Sequence, residues 1–274
     1  MGKLTNSYIK AGLKIREATS NKSDYGHAFI LAGRRGMMGA AVIAAKAAAR
    51  TGVGLLTVGV PAEERFILQT AVPEAMLFMR EEDHYPLDRF SGIGIGPGIG
   101  TDEVSEEMLV SVLVQSRIPL VLDADALTII SQNKKLFSCI PEQSIITPHS
   151  CEFDRLFGMH KDREERINTA RDKAREYHIV IVLKGPETAI ITAEEVYYNT
   201  TGNAGLAKGG SGDALTGIIT SFIAQGYAPD VAAKTGVYLH GLAADITLNE
   251  QSMESMLITD VLNNFGKAFE EIRS

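Results

Sequence analysis

Leu206–Gly226 reads LAKGGSGDALTGIITSFIAQG, and its two halves follow different rules. Gly209, Gly210 and Gly212 crowd ahead of Leu215, Ile218, Ile219, Phe222 and Ile223, whose recurrence makes one apolar stripe at helical pitch. Gly226 stands where such a helix stops. Glycines let backbone N–H groups converge on a ligand, and the helix N-terminus behind them adds roughly half a positive charge. The pattern predicts an anion cradle at Gly210, Ser211 and Gly212, with Asp213 at its lip. A carboxylate beside an anion site would repel the anion, unless it takes a proton from the group that attacks it. The alternative role is a charge that favours the start of the helix. The dipole favours the ionised carboxylate, so Asp213 is expected to be an available but weak base, with desolvation by a ligand pushing the other way.

The composition sets the frame. At 274 residues, 45% hydrophobic and 22% charged, the chain has material for one large α/β domain or two small ones. A formal net charge of −7 argues against a nucleic-acid partner and obliges any polyanionic ligand to use local donors. Cys139 and Cys151 form no CxxC or zinc spacing, which suggests a reducing compartment. The N-terminal stretch lacks the apolar run of a signal peptide, and no stretch reaches membrane-spanning length. These features predict a cytoplasmic protein without a membrane partner.

Outward from the glycine cradle the chain alternates strands and helices. Residues 1–20 read as a polar, partly helical arm. His27–Leu31 is a short strand feeding the loop AGRRGMMG, and Ala40–Arg50 is a strong helix former. The loop glycines, Gly33, Gly36 and Gly39, fall at GxxGxxG rather than the dinucleotide fingerprint GxGxxG. Arg34 and Arg35 are either solvated or ligand-facing. Leu55–Val60, the start of Gly92–Gly100, Pro119–Asp123, Ser144–Thr147 and Ile179–Leu183 read as strands, the last apolar enough for the centre of a parallel sheet. Helices are expected at Ala62–Ala71, Glu103–Gln115, Cys151–Phe157, Arg163–Tyr177, Asp230–Leu248 and Ile258–Ile272, and a hairpin at Thr188–Thr192 with Val196–Asn199. Five glycines and a proline in GIGIGPGIG mean that backbone lies close against something there.

Asp123 and Asp125 close a strand as a catalytic or metal candidate pair, with Asp125 equally suited to cap the next helix. His149 sits at a strand-to-helix corner, whereas His27 and His178 read as structural and His240 as a core or pocket residue. The pattern predicts a single three-layer α/β/α domain with a mostly parallel sheet and a cleft at the carboxyl ends of its strands.

Six ordered blocks carry a family resemblance: KSDYGHAFILAGRRGMMGAA, IGPGIG, VLDADAL, TPHSCEF, VLKG and GNAGLAKGGSGDALTG. From about Lys22 to the C-terminus the chain resembles the ADP-dependent NAD(P)H-hydrate dehydratases of the ribokinase-like superfamily. That resemblance implies repair of NADH and NADPH hydrated at C6 of the nicotinamide ring (NAD(P)HX), with ADP consumed to AMP and phosphate. It implies that Gly210–Gly212 hold the transferred phosphoryl group and that Asp213 deprotonates the hydroxyl. Ala40, Gly98, His149 and Asp213 match the hydrate-binding positions, and Lys184, Gly185, Pro186, Glu187, Thr188 and Gly212 match those for the adenine nucleotide. Mg²⁺ is implied, held mainly by phosphates and water, with no protein metal ligand. A homotetramer is implied as well. Larger relatives carry an epimerase domain ahead of this one, for which this chain has no room, so the other epimer would need a separate enzyme or spontaneous interconversion.

Two blocks depart from the family pattern. TPHSCE stands for TPHPGE and GNAGL for GNPGM, and neither change removes a reactive group. The rival reading is an ATP-dependent kinase of the same superfamily acting on a vitamin-precursor alcohol. The lack of an Asn-x-x-Glu motif favours the dehydratase. A binding protein without chemistry predicts that Asp213→Asn leaves function intact, and no GxSxG or P-loop supports a hydrolase.

Overall fold

The structure, a computed structural model, describes residues 1–81 and 87–274. Its strands are β1 (Gly2–Lys3), β2 (His27–Leu31), β3 (Leu55–Val60), β4 (Met76–Met79), β5 (Gly92–Ile95), β6 (Leu120–Leu122), β7 (Ile145–Ile146), β8 (Val180–Leu183), β9 (Ala189–Ile191) and β10 (Val196–Tyr198). The helices are α1 (Asn6–Gly12), α2 (Met38–Thr51), α3 (Arg65–Ala71), α4 (Glu103–Gln115), α5 (Asp125–Gln132), α6 (Ser150–Phe157), α7 (Arg163–Tyr177), α8 (Ser211–Ala224), α9 (Pro229–Thr247), α10 (Ile258–Asn263) and α11 (Phe265–Arg273).

The strands join one sheet in the order β1-β10-β9-β8-β7-β6-β5-β2-β3-β4, in which β9 is antiparallel to both of its neighbours and the other pairings are parallel. Side chains alternate across this sheet as a period of two demands. Leu120 and Leu122, Ile181 and Leu183, and Phe29 and Leu31 enter a core with α4, α5, α6 and α7. Val121, Val180 and Val182 point to the opposite face, against α8, α9, α10 and α11. Ala28 and Ile30 share that second face with α2 and α3. The result is the expected three-layer α/β/α arrangement.

Helix α8 lies deepest, buried from Ala214 through Ala224. Glycines make this possible. A Cβ on Gly92 would sit 2.6 Å from the Ala224 nitrogen, and one on Gly94 2.3 Å from the Thr220 hydroxyl. One on Gly217 would sit 2.1 Å from the Ala44 carbonyl oxygen of α2. The backbone approach expected from GIGIGPGIG is thus the contact of β5 with α8.

Several expectations need correction. The N-terminal arm is partly helical, but it also supplies β1 and buries Leu4 and Ile9. β4, MLFM, shows no alternation and escaped the sequence pattern. β8 is not the centre of a parallel sheet; it marks the change to antiparallel pairing with β9. The closing helix breaks at Asn264, whose buried amide donates to Thr247 Oγ1 at 3.0 Å. Asp125 begins α5 without capping it, because the cap position is Ala124 at φ 49°.

Chain order reverses between β2 and β5. From β2 the chain moves outward to β3 and β4, then returns to β5 and continues through β6 and β7 to β8. Loops after strands flanking such a reversal part from each other and leave a crevice at the carboxyl ends.

Candidate active site

The crevice walls are the loops after β2 and β5. Gly33 N–H donates to the Pro97 carbonyl at 2.7 Å and fastens one loop to the other. Gly98 has φ +63°, and a Cβ there would stand 3.1 Å from the Ala40 Cβ. Ala40 and Gly98, far apart in sequence, therefore meet across the crevice. Arg34 lies over Gly100 and approaches Asp102 Oδ2 at 3.6 Å, both side chains about half exposed. Gly100 N–H donates to Asp125 Oδ2 at 2.8 Å, which ties this wall to the end of β6.

A second group of residues gathers at the ends of β6, β7 and β8. Asp123 is 1% exposed and both its oxygens are engaged, Oδ1 by Lys184 Nζ at 2.8 Å and Oδ2 by Thr216 Oγ1 at 3.0 Å. Lys184 Nζ also stands 3.9 Å from Glu152 Oε2. Burial alone would depress the Lys184 ammonium, but Asp123, Glu152 and Asp213 outweigh it and hold its pKa above the ordinary lysine value. The expected Asp123–Asp125 pair does not act as one: Asp123 faces Lys184, while Asp125 turns to Gly100.

His149 caps α6. Its Nδ1 accepts from Cys151 N–H at 3.1 Å and Glu152 N–H at 3.2 Å, while Glu152 Oε2 accepts from His149 N–H at 2.8 Å. With Nδ1 accepting, the neutral ring carries its proton on Nε2. Half of this side chain is exposed, and Nε2 stands 3.6 Å from Glu152 Oε2, beyond hydrogen-bond length. His149 also bridges to Lys184 across the strand ends.

The glycine run leads directly into α8. Gly210 adopts φ 95° at the start of α8 and makes no side-chain cap; Ser211 N–H donates to the Lys208 carbonyl at 3.4 Å, and the next first-turn N–H groups, of Gly212 and Asp213, are open to a ligand. Asp213 is the third residue of the helix. Its carboxyl is pushed up to about 6, by burial first and then by the charge of Asp123, with Lys184 opposing and Asp125 adding a little. Desolvation and like charge outweigh the dipole before any ligand arrives, so the carboxyl is more basic than the dipole alone would make it.

The KGPET block divides. Lys184 turns inward to carboxylates, whereas Gly185–Thr188 forms an outer turn closed by Thr188 Oγ1 donating to the Gly185 carbonyl at 3.0 Å. Glu187 accepts from Arg163 Nη1 at 2.6 Å and faces α7. Gly212 lies between these groups, since a Cβ there would be 3.2 Å from Asp123 Oδ2 and 3.3 Å from Lys184 Nζ. Sequence reasoning does not single out Thr216, because its hydroxyl one turn after Gly212 is matched by those of Thr220 and Ser221 further along the same helix.

Comparison with known proteins decides the family. The family model for NAD(P)H-hydrate dehydratase matches residues 28–266. The chain belongs to that family. The ADP-dependent (S)-NAD(P)H-hydrate dehydratase of Bacillus subtilis is 34% identical over 97% of this chain and 98% of its own. The bifunctional NAD(P)H-hydrate repair enzyme Nnr of Moorella thermoacetica is 35% identical over 95% of this chain. This chain spans about half the length of that relative, 52%. The crystal structure of the ADP/ATP-dependent NAD(P)H-hydrate dehydratase from Bacillus subtilis, co-crystallised with ATP/Mg²⁺, superposes with a TM-score of 0.89 at 30% identity, covering 99% of this chain and 98% of that one.

The dehydratase family implies nucleotide and Mg²⁺, and the residues present allow a test of fit. Among the described residues no group of three or more His, Cys, Asp or Glu side chains is arranged to hold a metal ion. The most buried carboxylate, Asp123, is already saturated by Lys184 and Thr216. The lining at the described residues fits an ion that arrives on nucleotide phosphates, as Mg²⁺ commonly does. Among the described residues no helix is long and apolar enough to cross a membrane.

Proposed function

We propose that this chain is a single catalytic domain that dehydrates the S-form of hydrated NADH and NADPH at the expense of ADP. Asp213 takes the proton of the C6 hydroxyl, and the alkoxide oxygen attacks the terminal phosphorus of ADP. The bond to the bridging oxygen breaks and AMP leaves. The ring nitrogen lone pair then expels phosphate from C6, a proton leaves C5, and the dihydronicotinamide is restored. Water is thus removed as phosphate.

The observation that carries this reading is the carboxyl of Asp213, with a pKa near 6, at the lip of the α8 cradle. At pH 7 it is about nine-tenths ionised yet binds a proton more tightly than an ordinary carboxylate. The N–H groups of Gly210 and Gly212 supply donors for phosphoryl oxygens, and one such donor is typically worth about 10²–10³ in rate. Ala40, Gly98 and the His149 Nε2–H are assigned to the hydrated dinucleotide. Lys184, through Gly185, Pro186, Glu187 and Thr188, is assigned with Gly212 to the nucleotide side. When bound, Mg²⁺ neutralises phosphate charge.

We further assign the chain to the cytoplasm as a homotetramer, working together with an epimerase activity. Support comes from the resemblance and from the longer bifunctional relatives. The test is an assay on hydrated NADH and NADPH with ADP, followed at the nicotinamide absorbance, for wild type and Asp213→Ala. Restoration by wild type and its loss in the variant are expected. ATP-dependent phosphorylation of a vitamin-precursor alcohol, with no effect on the hydrates, would replace this reading with the kinase.

A further inference from the structure

A dinucleotide brings at least two negative phosphates to a protein whose formal net charge is −7. In the proposed reaction the backbone donors at the cradle serve the phosphoryl group, so the dinucleotide phosphates call for a further cation along the cleft. Two lysines near the cradle are already engaged. Lys184 is held by Asp123 and lies close to Glu152. Lys208, just before the glycines, donates to the Glu254 carbonyl at 2.6 Å and the Met256 carbonyl at 2.7 Å.

Arg34 differs from both. It stands on the wall of the β2–β5 crevice, its side chain crossing Gly100 so closely that a Cβ there would be 2.6 Å from Nη1. Gly100 in turn is bonded to Asp125 at 2.8 Å, and Asp125 is among the charges felt by Asp213. The guanidinium thus sits one step beyond the reacting end of the cleft. Its partner is Asp102 at 3.6 Å, with side chains 50% and 57% exposed. That separation exceeds hydrogen-bond length, and exposed pairs of this kind bind weakly. Asp102 is itself fixed elsewhere, because its Oδ1 caps α4 by accepting from Ser105 N–H at 3.0 Å and Oγ at 2.9 Å. The pair is a parking position: Asp102 stays with its helix while Arg34 is free to leave.

We infer that Arg34 is a binding residue for a phosphate of the hydrated dinucleotide, parked against Asp102 until substrate enters the crevice between the loops after β2 and β5. The planar fork of arginine suits a bidentate phosphate contact better than the single, longer approach to Asp102. This inference rests on the proposed substrate class, so binding and turnover are read separately.

The experiment titrates NADPH and NADH, by their own fluorescence, into wild type, Arg34→Gln and Asp102→Asn, and measures turnover of both hydrates with ADP on the same samples. Arg34→Gln should weaken NADPH binding and raise KM for the hydrate by about 10- to 100-fold, the loss expected for charge-assisted bonds. kcat and KM for ADP should stay within about threefold, because the guanidinium is assigned to the dinucleotide and not to the transferred group. Asp102→Asn keeps the helix cap and removes the competitor, so its KM for the hydrate should fall. A loss confined to NADPH and its hydrate assigns Arg34 to the 2′-phosphate, and an equal loss with NADH to the pyrophosphate. Unchanged affinity in Arg34→Gln, or a rise confined to KM for ADP, overturns the inference. Arg34-dependent NADPH binding without turnover would instead remove the dehydratase reading and leave this one standing.

Discussion

Lys184 Nζ stands 2.8 Å from Asp123 Oδ1, and this ion pair joins the ends of β8 and β6 across β7, directly below Gly212. It couples the strand ends to the cradle, because the other oxygen of Asp123 holds Thr216 on α8 at 3.0 Å.

Asp123→Asn should keep the shape and the Thr216 contact but leave the Lys184 charge poorly balanced. Removing one partner of a buried pair costs about 3–5 kcal/mol. Thermal unfolding should show a lower Tm. The same change removes the repulsion that Asp123 exerts on Asp213, so the pKa of Asp213 should fall toward ordinary values. An undiminished Tm would mean that Glu152 alone satisfies Lys184.

The pH dependence of turnover follows from Asp213. The base must be ionised, and its carboxyl lies at about 6, so kcat/KM should decline below that pH with a single acid limb. In Asp123→Asn the limb should move to lower pH. A wild-type limb at the pH of an ordinary exposed carboxylate would mean that water reaches Asp213 and that burial does not set its basicity.

Stability and activity should part at Asp213. The native carboxyl sits at about 6 against a reference of 3.8, so its ionised form is disfavoured by folding. That cost is absent below the unfolded pKa, grows as pH rises through the interval, and is complete above the folded pKa. Asp213→Asn should therefore raise stability by about 1–3 kcal/mol at pH 8 and change it little at pH 4. Activity should fall by about 10²–10⁴-fold, the usual worth of a positioned base. Equal melting shifts at both pH values would refute the linkage.

Gly217→Ala tests the packing of α8 on α2. The new Cβ would lie 2.1 Å from the Ala44 carbonyl oxygen, a backbone atom that cannot rotate aside. Overpacking of this kind costs about 1–3 kcal/mol or more, despite the better helix propensity of alanine. Denaturant unfolding should show the loss; a stabilised variant would contradict the close approach of the two helices.

Chelation separates the metal from the fold. With no carboxylate cage among the described residues, EDTA should leave the Tm of the nucleotide-free protein unchanged while abolishing ADP-dependent turnover. A lower Tm on chelation would reveal a protein-held ion.

Much of the site is legible in the sequence because it lies in short runs. Gly210, Ser211, Gly212 and Asp213 are consecutive, and their glycine-then-helix pattern carries its own geometry. Ala40 and Gly98 came only through the family blocks, yet the structure brings them face to face. Less legible were features that depend on partners from elsewhere. Nothing in the run KGPET announces that its lysine turns toward Asp123 while Glu187 turns toward Arg163. The cap made by His149 was hidden too, since histidine is not among the residue types that usually fill that position.

The sequence by itself determined most strands and helices, the glycine turn that opens α8 and the family, because periodicity, turns and motifs are properties of neighbouring residues. Only the tertiary structure decided how basic Asp213 is, what neutralises Lys184 and which residue holds Arg34. Those answers depend on burial and on charges brought from β6, β8, α6 and the loop after β5 to within a few ångströms of each other, and separation along the chain carries no information about such distances.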